Sequence, residues 1–547
     1  DPIHVYGEPD VRIAPNGVVH VSGPQGTGVQ RSIWNVSVDN ADSFRVVQGI
    51  PVNQATVPNK SELGPGGGDT EISISRDNKV FFSDLWALTC FTAASTQDNG
   101  ASVASSPNGC SHLGADRQWM SVFDPVPSDA TTSLYIGPKP LNYQSYTLQT
   151  ESGSQVDMST DGVTYNEAGR YGDGTLGFNA NDGTLVVDQQ TGRFLAPVGH
   201  QSTEQTKFGL GLAIGTQSPD GKLTFEYKIV NDQLAGNPGL KFPVLAQDKA
   251  RNLYMVWTED AQMINVADNG DFVYDCPKES VQYCFHVYYS YASPSDLWTR
   301  WSEPRRIDQP PSITNVFPWV AAGGDGMIDV VWYGTDQRLH PAERKDQSWD
   351  VFMSQIDHAD TASPHMVQSK VTDHPSHKGD ICILGTACFL VQGDRNLADF
   401  FMVSIDSEGR ARIVFNDTSN GISQKGFQST VPGLVDHPGA AVVTLATQQT
   451  GLNAWNGQPL MAKETTTPTK SITDPIGDAL FKPLAGSNLD GFDIKAVDLE
   501  MIDDILHVRI TTEGDNLGAA ALAAGGAFGE LVVRWQYAGK LYFAAVE

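Results

Sequence analysis

Long apolar runs, helical periodicity and basic charge are what this sequence has least of. No stretch of its 547 residues approaches the roughly 20 uninterrupted apolar positions that a membrane-spanning helix needs, so membrane insertion is not expected. No long window repeats apolar side chains at helical spacing, which leaves strands to build the core. Charged residues make up only 18% of the chain, with 36 basic against 64 acidic side chains and a formal charge of −28. Such a surface repels nucleic acid and anionic membranes, so neither is expected as a partner. Cysteine is scarce as well. The six present fall into local pairs, Cys90 with Cys110, Cys276 with Cys284 and Cys382 with Cys388. An even number closely paired favours three disulfides, and with them a secreted or cell-surface location. The chain opens at Asp1 without a charged and apolar leader; an export signal is taken to be already removed or to lie outside this sequence.

Glycine, in contrast, is abundant at 53 residues, as tight turns between many strands require. The best-formed strand pair runs from Phe317 to Thr335, two apolar strands about an Asp325-Gly326 turn. Six relatives of this hairpin lie along the chain: Pro9 to Gly23, Glu71 to Asp84, Trp119 to Gly137, Thr184 to Val198, Phe242 to Trp257 and Phe400 to Phe415. In the third of these by position, Ser133–Ile136 is read as the returning strand. Between hairpins recurs a polar turn holding Ser or Thr, then Asp: Ser37 and Asp39, Thr96 and Asp98, Ser159 and Asp161, Ser218 and Asp220, and more loosely Ser293 and Asp296. An Asp carboxylate accepting backbone N–H groups across a turn explains that pattern structurally.

Hairpins starting about 50–80 residues apart have the spacing of four-stranded antiparallel blades, which makes the fold class all-β, a β-propeller of six or seven blades. The Ser/Thr-x-Asp turns and the Phe-Pro-x-Val…Asp-x-Val-x-Trp hairpins resemble those of the sialidase-like superfamily with its Asp-box (bacterial neuraminidase, BNR) repeats, over roughly residues 1–430. That resemblance implies six blades; seven hairpins favour seven. Residues 431–470 read as a linker or irregular segment. Residues 471–547 resemble part of a small carbohydrate-binding or DOMON-like β-sandwich, with few strands for a closed one, so it either borrows an edge or continues past residue 547. There Asp474, Asp478, Asp490 and Asp493 are candidate ligands of a structural Ca²⁺, or else caps of turns. No cofactor is required.

In a propeller, residues just before each inner strand ring the channel mouth. Here they are Glu8 and Asp10, Asp69 and Glu71, Asp116 and Arg117, Asn181 and Asp182, Lys241, Asn315, and Asp394, Arg395 and Asp399. The resemblance implies an arginine triad, a carboxylic acid and a Tyr activated by Glu. Candidates for substrate binding are Arg12, Arg117, Arg395 and Tyr333; for catalysis, Asp69, Asp116 and Asp394. Arg12 lies in Val-Arg-Ile-Ala-Pro15, where an extra Ala departs from the family's Arg-Ile-Pro. Glu167 with Tyr171 is a further Tyr/Glu pair. His374, His377, Cys382 and Cys388 suit either a zinc site or, as the other cysteine pairs favour, a disulfide-pinned loop. Asn35, Asn59 and Asn416 head N-glycosylation sequons. The expected role is binding, and at most hydrolysing, extracellular carbohydrate or glycoprotein at the mouth. The alternative is a non-catalytic surface module with a protein partner.

Overall fold

The structure is a computed structural model of the chain. It describes residues 7–24, 32–41, 44–47, 68–86, 88–129, 131–180, 183–204, 207–238, 241–259, 263–266, 272–274, 285–343, 347–385, 388, 393–419, 441–461, 471–474, 476–477, 479–481, 487–502, 505–514, 531–537 and 540–546. These divide into two compact units, one ending at Leu460 and one beginning at Met461.

The first unit is a series of antiparallel sheets. Strands β1 (Asp10–Ile13), β2 (Val19–Pro24), β3 (Ser32–Ser37) and β4 (Arg45–Val46) form the first blade. The second holds β5 (Thr70–Ile74), β6 (Val80–Trp86), β7 (Cys90–Thr96) and β8 (Ala104–Ser106). The third holds β9 (Ala115–Phe123), β10 (Leu141–Leu148), β11 (Ser154–Ser159) and β12 (Asn166–Tyr171). In the fourth, β13 (Phe178–Asn179) and β14 (Val186–Val187) share the inner edge of β15 (Phe194–His200), followed by β16 (Phe208–Gln217) and β17 (Leu223–Leu234). The fifth joins β18 (Val244–Gln247) and β19 (Leu253–Glu259), then a small hairpin, β20 (Met263–Val266) with β21 (Phe272–Tyr274), then β22 (His286–Ala292) and β23 (Arg305–Arg306). The sixth comprises β24 (Thr314–Ala322), β25 (Ile328–Thr335), β26 (Ser348–Asp357) and β27 (His365–Lys370), with β28 (His377–Lys378) added to β26. The seventh sheet is β29 (Met402–Ile405), β30 (Ala411–Asp417) and β31 (Val442–Thr447).

The inner strands stand side by side in chain order: β1 by β5, β5 by β9, β9 by β14, β14 by β18, β18 by β24, β24 by β29, and β29 back by β1. This closed circuit of antiparallel sheets is a β-propeller. It follows from the hairpin pattern, since alternate residues of each sheet face a neighbouring blade and bury against it. Glycines take the positive φ that the hairpin turns demand, as at Gly17 (φ 86°) and Gly409 (φ 76°).

The Ser/Thr-x-Asp turns occupy one place, between the third and fourth strands of the first four blades. Each hydroxyl donates to its Asp, from Ser37 to Asp39 (2.6 Å), Thr96 to Asp98 (2.8 Å), Ser159 to Asp161 (3.0 Å) and Ser218 to Asp220 (2.6 Å). Asp161 in turn accepts from the Val163 and Thr164 amides. Amide and hydroxyl donors of this kind hold Asp98, Asp161 and Asp220 below the ordinary carboxylate range, in Asp161 against an opposing effect of burial.

Two expectations are corrected here. Ser133–Ile136 is not the strand returning to β9; that partner is Leu141–Leu148. Prolines 138 and 140 lack the N–H a ladder needs, and the strand begins only after them. The Ser133–Ile136 stretch instead lies on the fourth blade, where the Ile136 amide donates to the Pro219 carbonyl. Within the stretch read as a linker, Val442–Thr447 pairs with β30, a short β-branched run hidden in Pro- and Gly-rich surroundings. The residues after it tie back to the sixth blade, with Gly324 donating to Ala454 and Gln355 bonded to both backbone groups of Leu452.

The second unit contains β32 (Ser471–Thr473), β33 (Leu480–Phe481), β34 (Ser487–Asn488), β35 (Ile494–Ile502), β36 (Ile505–Thr512), β37 (Leu531–Tyr537) and β38 (Lys540–Val546). They pair as β32-β35-β36, β33-β34 and β37-β38.

Candidate functional site

Aromatic side chains from four blades meet across the propeller axis. Trp119 lies 5.3 Å from Phe242, 5.4 Å from Trp319 and 5.5 Å from Phe400, and Trp319 stacks on Phe400 at 5.6 Å. Trp119, Trp319 and Phe400 are buried, so they form a floor that fills the channel and offer no open stacking platform.

The Arg117 guanidinium lies on this floor, 3.8 Å from the Trp119 ring centroid and 4.1 Å from that of Phe400. Its position comes from a bulge. The β9–β10 register slips between Tyr146 and Thr147, opposite Arg117, whose φ is 43°. A bulge re-aims a side chain, and a non-glycine residue at positive φ persists only where its surroundings enforce it.

Around Arg117 stand the residues that precede the inner strands. Its Nη1 is 3.1 Å from Asp69 and 3.7 Å from Glu8, although none of its three guanidinium nitrogens makes a well-directed hydrogen bond. Arg395 grips Asp399 through both terminal nitrogens, one at 2.8 Å, and its Nη2 is 4.0 Å from Glu8. Lys241 pairs with the same Asp399. Three basic and three acidic side chains, from the approaches to four inner strands and from β9 itself, thus form one alternating chain. Glu8 and Arg117 are buried, whereas Asp69 (20% exposed), Asp399 (16%), Arg395 (13%) and Lys241 (11%) reach solvent.

Burial, then the nearby Asp69 and Asp399, push the Glu8 carboxyl well above the usual carboxylate range against the pull of Arg117. For Asp399, burial acts upward, but Arg395 and Lys241 outweigh it and hold the group well below that range. Close to the mouth, Arg12 bonds Glu71 (2.6 Å) and the Ile72 carbonyl (2.9 Å), while Asp10 accepts the Ile72 amide (2.7 Å). These bonds tie the first blade to the second. Burial and Asp10 raise Glu71 to about 8 against Arg12.

Of the expected site residues, the structure therefore gathers Asp69, Arg117 and Arg395, with Glu8, Lys241 and Asp399 from the anticipated ring. It does not bring the others there. Asp116 turns aside to accept from Gln149 (2.6 Å) and from the Arg117 amide (2.9 Å). Asp394 is buried, accepts the Asn396 amide (2.7 Å) and lies 3.7 Å from His377. Tyr333 is wholly buried against Phe401, its hydroxyl accepting the Asn416 amide; strand alternation turns it into the core. Asn315 is buried and bonded to Ser312. Glu167 is exposed on β12, an outer strand, and the Tyr171 hydroxyl is bonded to Ser145. Asn181 and Asp182 lie outside the described residues.

Cys382 and Cys388 form a disulfide, as do Cys90 and Cys110, so the thiolates that a zinc site would use are absent. Cys276 and Cys284 lie outside the described residues. His374 sits between Asp373 (2.7 Å) and Asp417 (3.0 Å), and His377 bonds Thr418 (2.7 Å). Among the described residues no group of three or more His, Cys, Asp or Glu is placed to hold a metal ion. Asp493 is buried and accepts from the Gly477 amide (2.6 Å) and Asn488 (2.7 Å), Asn488 also donates to Asp490 (2.7 Å), and Asp474 is exposed; Asp478 lies outside the described residues. Asn35 and Asn416 are buried in strands and are not accessible sequons, while Asn59 lies outside the described residues. Among the described residues no helix is long and apolar enough to cross a membrane.

No protein-family model matches the chain, and no curated protein does. Solved structures do. An α-L-arabinofuranosidase of Fusarium graminearum, in complex with arabinobiose, is similar at 12% identity and a TM-score of 0.38, over 69% of this chain and 92% of that one. An α-L-arabinanase of Penicillium chrysogenum is similar at 9% identity and 0.39, over 69% and 92%. A leech intramolecular trans-sialidase is similar at 8% identity and 0.37, over 81% and 68%. Likeness at this level carries no statement about activity, and the propeller rests on the chain's own sheets.

Proposed function

We propose that this protein is an extracellular, sialidase-like propeller that binds carbohydrate at the mouth ringed by Glu8, Asp69, Arg117, Lys241, Arg395 and Asp399. One observation carries the reading: six ionisable side chains, from four strand approaches and from β9, converge on a partly open mouth above an aromatic floor. Planar guanidinium forks and carboxylates side by side offer donors and acceptors in the spacing that adjacent sugar hydroxyls present. The recurrence of the Ser/Thr-x-Asp turn at one place in four blades supports the sialidase-like assignment, and the two disulfides support an oxidising compartment. The test is a glycan array probed with the wild-type protein and with Arg395→Ala. Binding abolished by the substitution supports the reading. Binding that survives it, or none at all, leaves these residues as ties between blades.

A second reading, hydrolysis, is favoured by Glu8 alone. A carboxyl whose burial and acidic neighbours favour its protonated form, near an Asp399 whose cations favour the ionised form, is how paired carboxyls divide the roles of acid and base. Against it, every carboxylate of the mouth is already held by a cation. Turnover of a panel of fluorogenic glycosides, lost in Glu8→Gln, supports hydrolysis; no turnover on any member rejects it.

A further inference from the structure

We infer that the mouth selects neutral sugars, bound through their hydroxyl groups, and turns away sugars that bear a carboxylate. The inference rests on the reading of the mouth as a carbohydrate site and departs from what a sialidase resemblance would suggest.

The reason lies in how the cations are already partnered. An acidic sugar needs an arginine or lysine whose charge is available. Arg395 gives both terminal nitrogens to Asp399, and Lys241 reaches that carboxylate from another blade. Arg117 stands between Asp69 and Glu8, and it lies against the Trp119 and Phe400 rings. An incoming carboxylate would have to displace a protein carboxylate or share its cation, and close like charges in a poorly solvated place repel strongly. A hydroxyl meets no such penalty, because it accepts from a guanidinium N–H and donates to the carboxylate beside it. The two carboxyls already there show the division: burial, Asp69 and Asp399 favour the neutral form of Glu8 despite Arg117, whereas Asp399 is held ionised by Arg395 and Lys241, whose charge it already takes up.

Selection of this kind is a difference between affinities, set here by a repulsive element that can be removed. The test uses the full chain on matched glycans that differ by a carboxylate, lactose with sialyllactose and galacto- with galacturono-oligosaccharides, inside a wider array of neutral and acidic members. Neutral glycans bound about tenfold or more tightly than their acidic counterparts support the inference. Acidic members bound as well or better overturn it while the carbohydrate reading stands. No binding to any member overturns both. Asp399→Asn, which removes the carboxylate shared by Lys241 and Arg395 and leaves Arg395 only the more distant Glu8, is expected to shift preference toward the acidic members by about tenfold, and the gain should fade with added salt. An unchanged preference in a folded variant contradicts the inference. If Asp399→Asn does not fold, Asp69→Asn poses the same question through Arg117.

Discussion

Asp329 offers a sharp electrostatic prediction. It sits in β25, fully buried, with Oδ1 accepting from Gln355 Nε2 at 3.0 Å and Oδ2 without a hydrogen-bond partner. Burial drives the carboxyl from 3.8 to about 7, the Gln355 bond opposing. Between those pH values the folded protein holds a proton that the unfolded chain has already released. The associated stability is complete below about pH 4, falls as pH rises and is fully lost above about pH 7. At 1.36 kcal/mol for each tenfold change, the loss comes to about 4 kcal/mol. Asp329→Asn keeps an acceptor for Gln355 and removes the titration. Its amide gains no partner, which costs about 1–3 kcal/mol at every pH. The stability of the variant relative to wild type should therefore climb with pH between 4 and 7 and level off above, by about 4 kcal/mol in all. Urea unfolding of both proteins across pH 4–9 measures this, and groups common to both, Glu71 and Glu8 among them, cancel in the difference. A difference that does not change with pH would refute the reasoning.

Three further outcomes are expected. A Cβ at Gly323 would lie 2.1 Å from the Ala454 carbonyl oxygen, so Gly323→Ala should push the 449–460 segment off the sixth blade and lower the melting temperature. Gly17→Ala, with open space around it but φ 86°, should cost only about 1 kcal/mol, and equal losses at the two sites would contradict this. Arg117→Ala leaves Glu8 and Asp69 together without their shared cation and should destabilise the propeller by about 3–5 kcal/mol. The loss should be greatest at high pH and partly recovered in acid, where Glu8, whose burial already favours its protonated form, takes up its proton; a pH-independent loss would point to the stacking on Trp119 and Phe400 alone. Expression in a glycosylating cell followed by peptide mass spectrometry should find Asn35 and Asn416 unmodified, and glycan on either would contradict their burial.

The fold was legible because a propeller repeats itself. Period-two hairpins, turn glycines and Ser/Thr-x-Asp turns each recur, so a misread copy such as Ser133–Ile136 did not disturb the whole. The short β31 escaped because six residues carry too little pattern when Pro and Gly surround them. The mouth was half legible. Position just before an inner strand was the right signal for Glu8, Asp69, Lys241, Arg395 and Asp399, since it depends only on topology. Choosing among adjacent residues failed, because it depends on where the backbone bulges. The slip at Arg117 sends Asp116 aside, and a turn cap consumes Asp394, neither of which alternation along a strand can reveal. Tyr333 fails for the opposite reason: its strand is regular, and regular alternation buries it.

The proposal that the mouth binds carbohydrate can be tested directly. The most direct measurement is a crystal structure of the chain with the tightest-binding glycan from the array. Sugar hydroxyls are expected within hydrogen-bond distance of Asp69, Lys241, Arg395 or Asp399, above the Trp119–Phe400 floor. A glycan bound elsewhere, with these ion pairs unchanged and nothing above them, would contradict it.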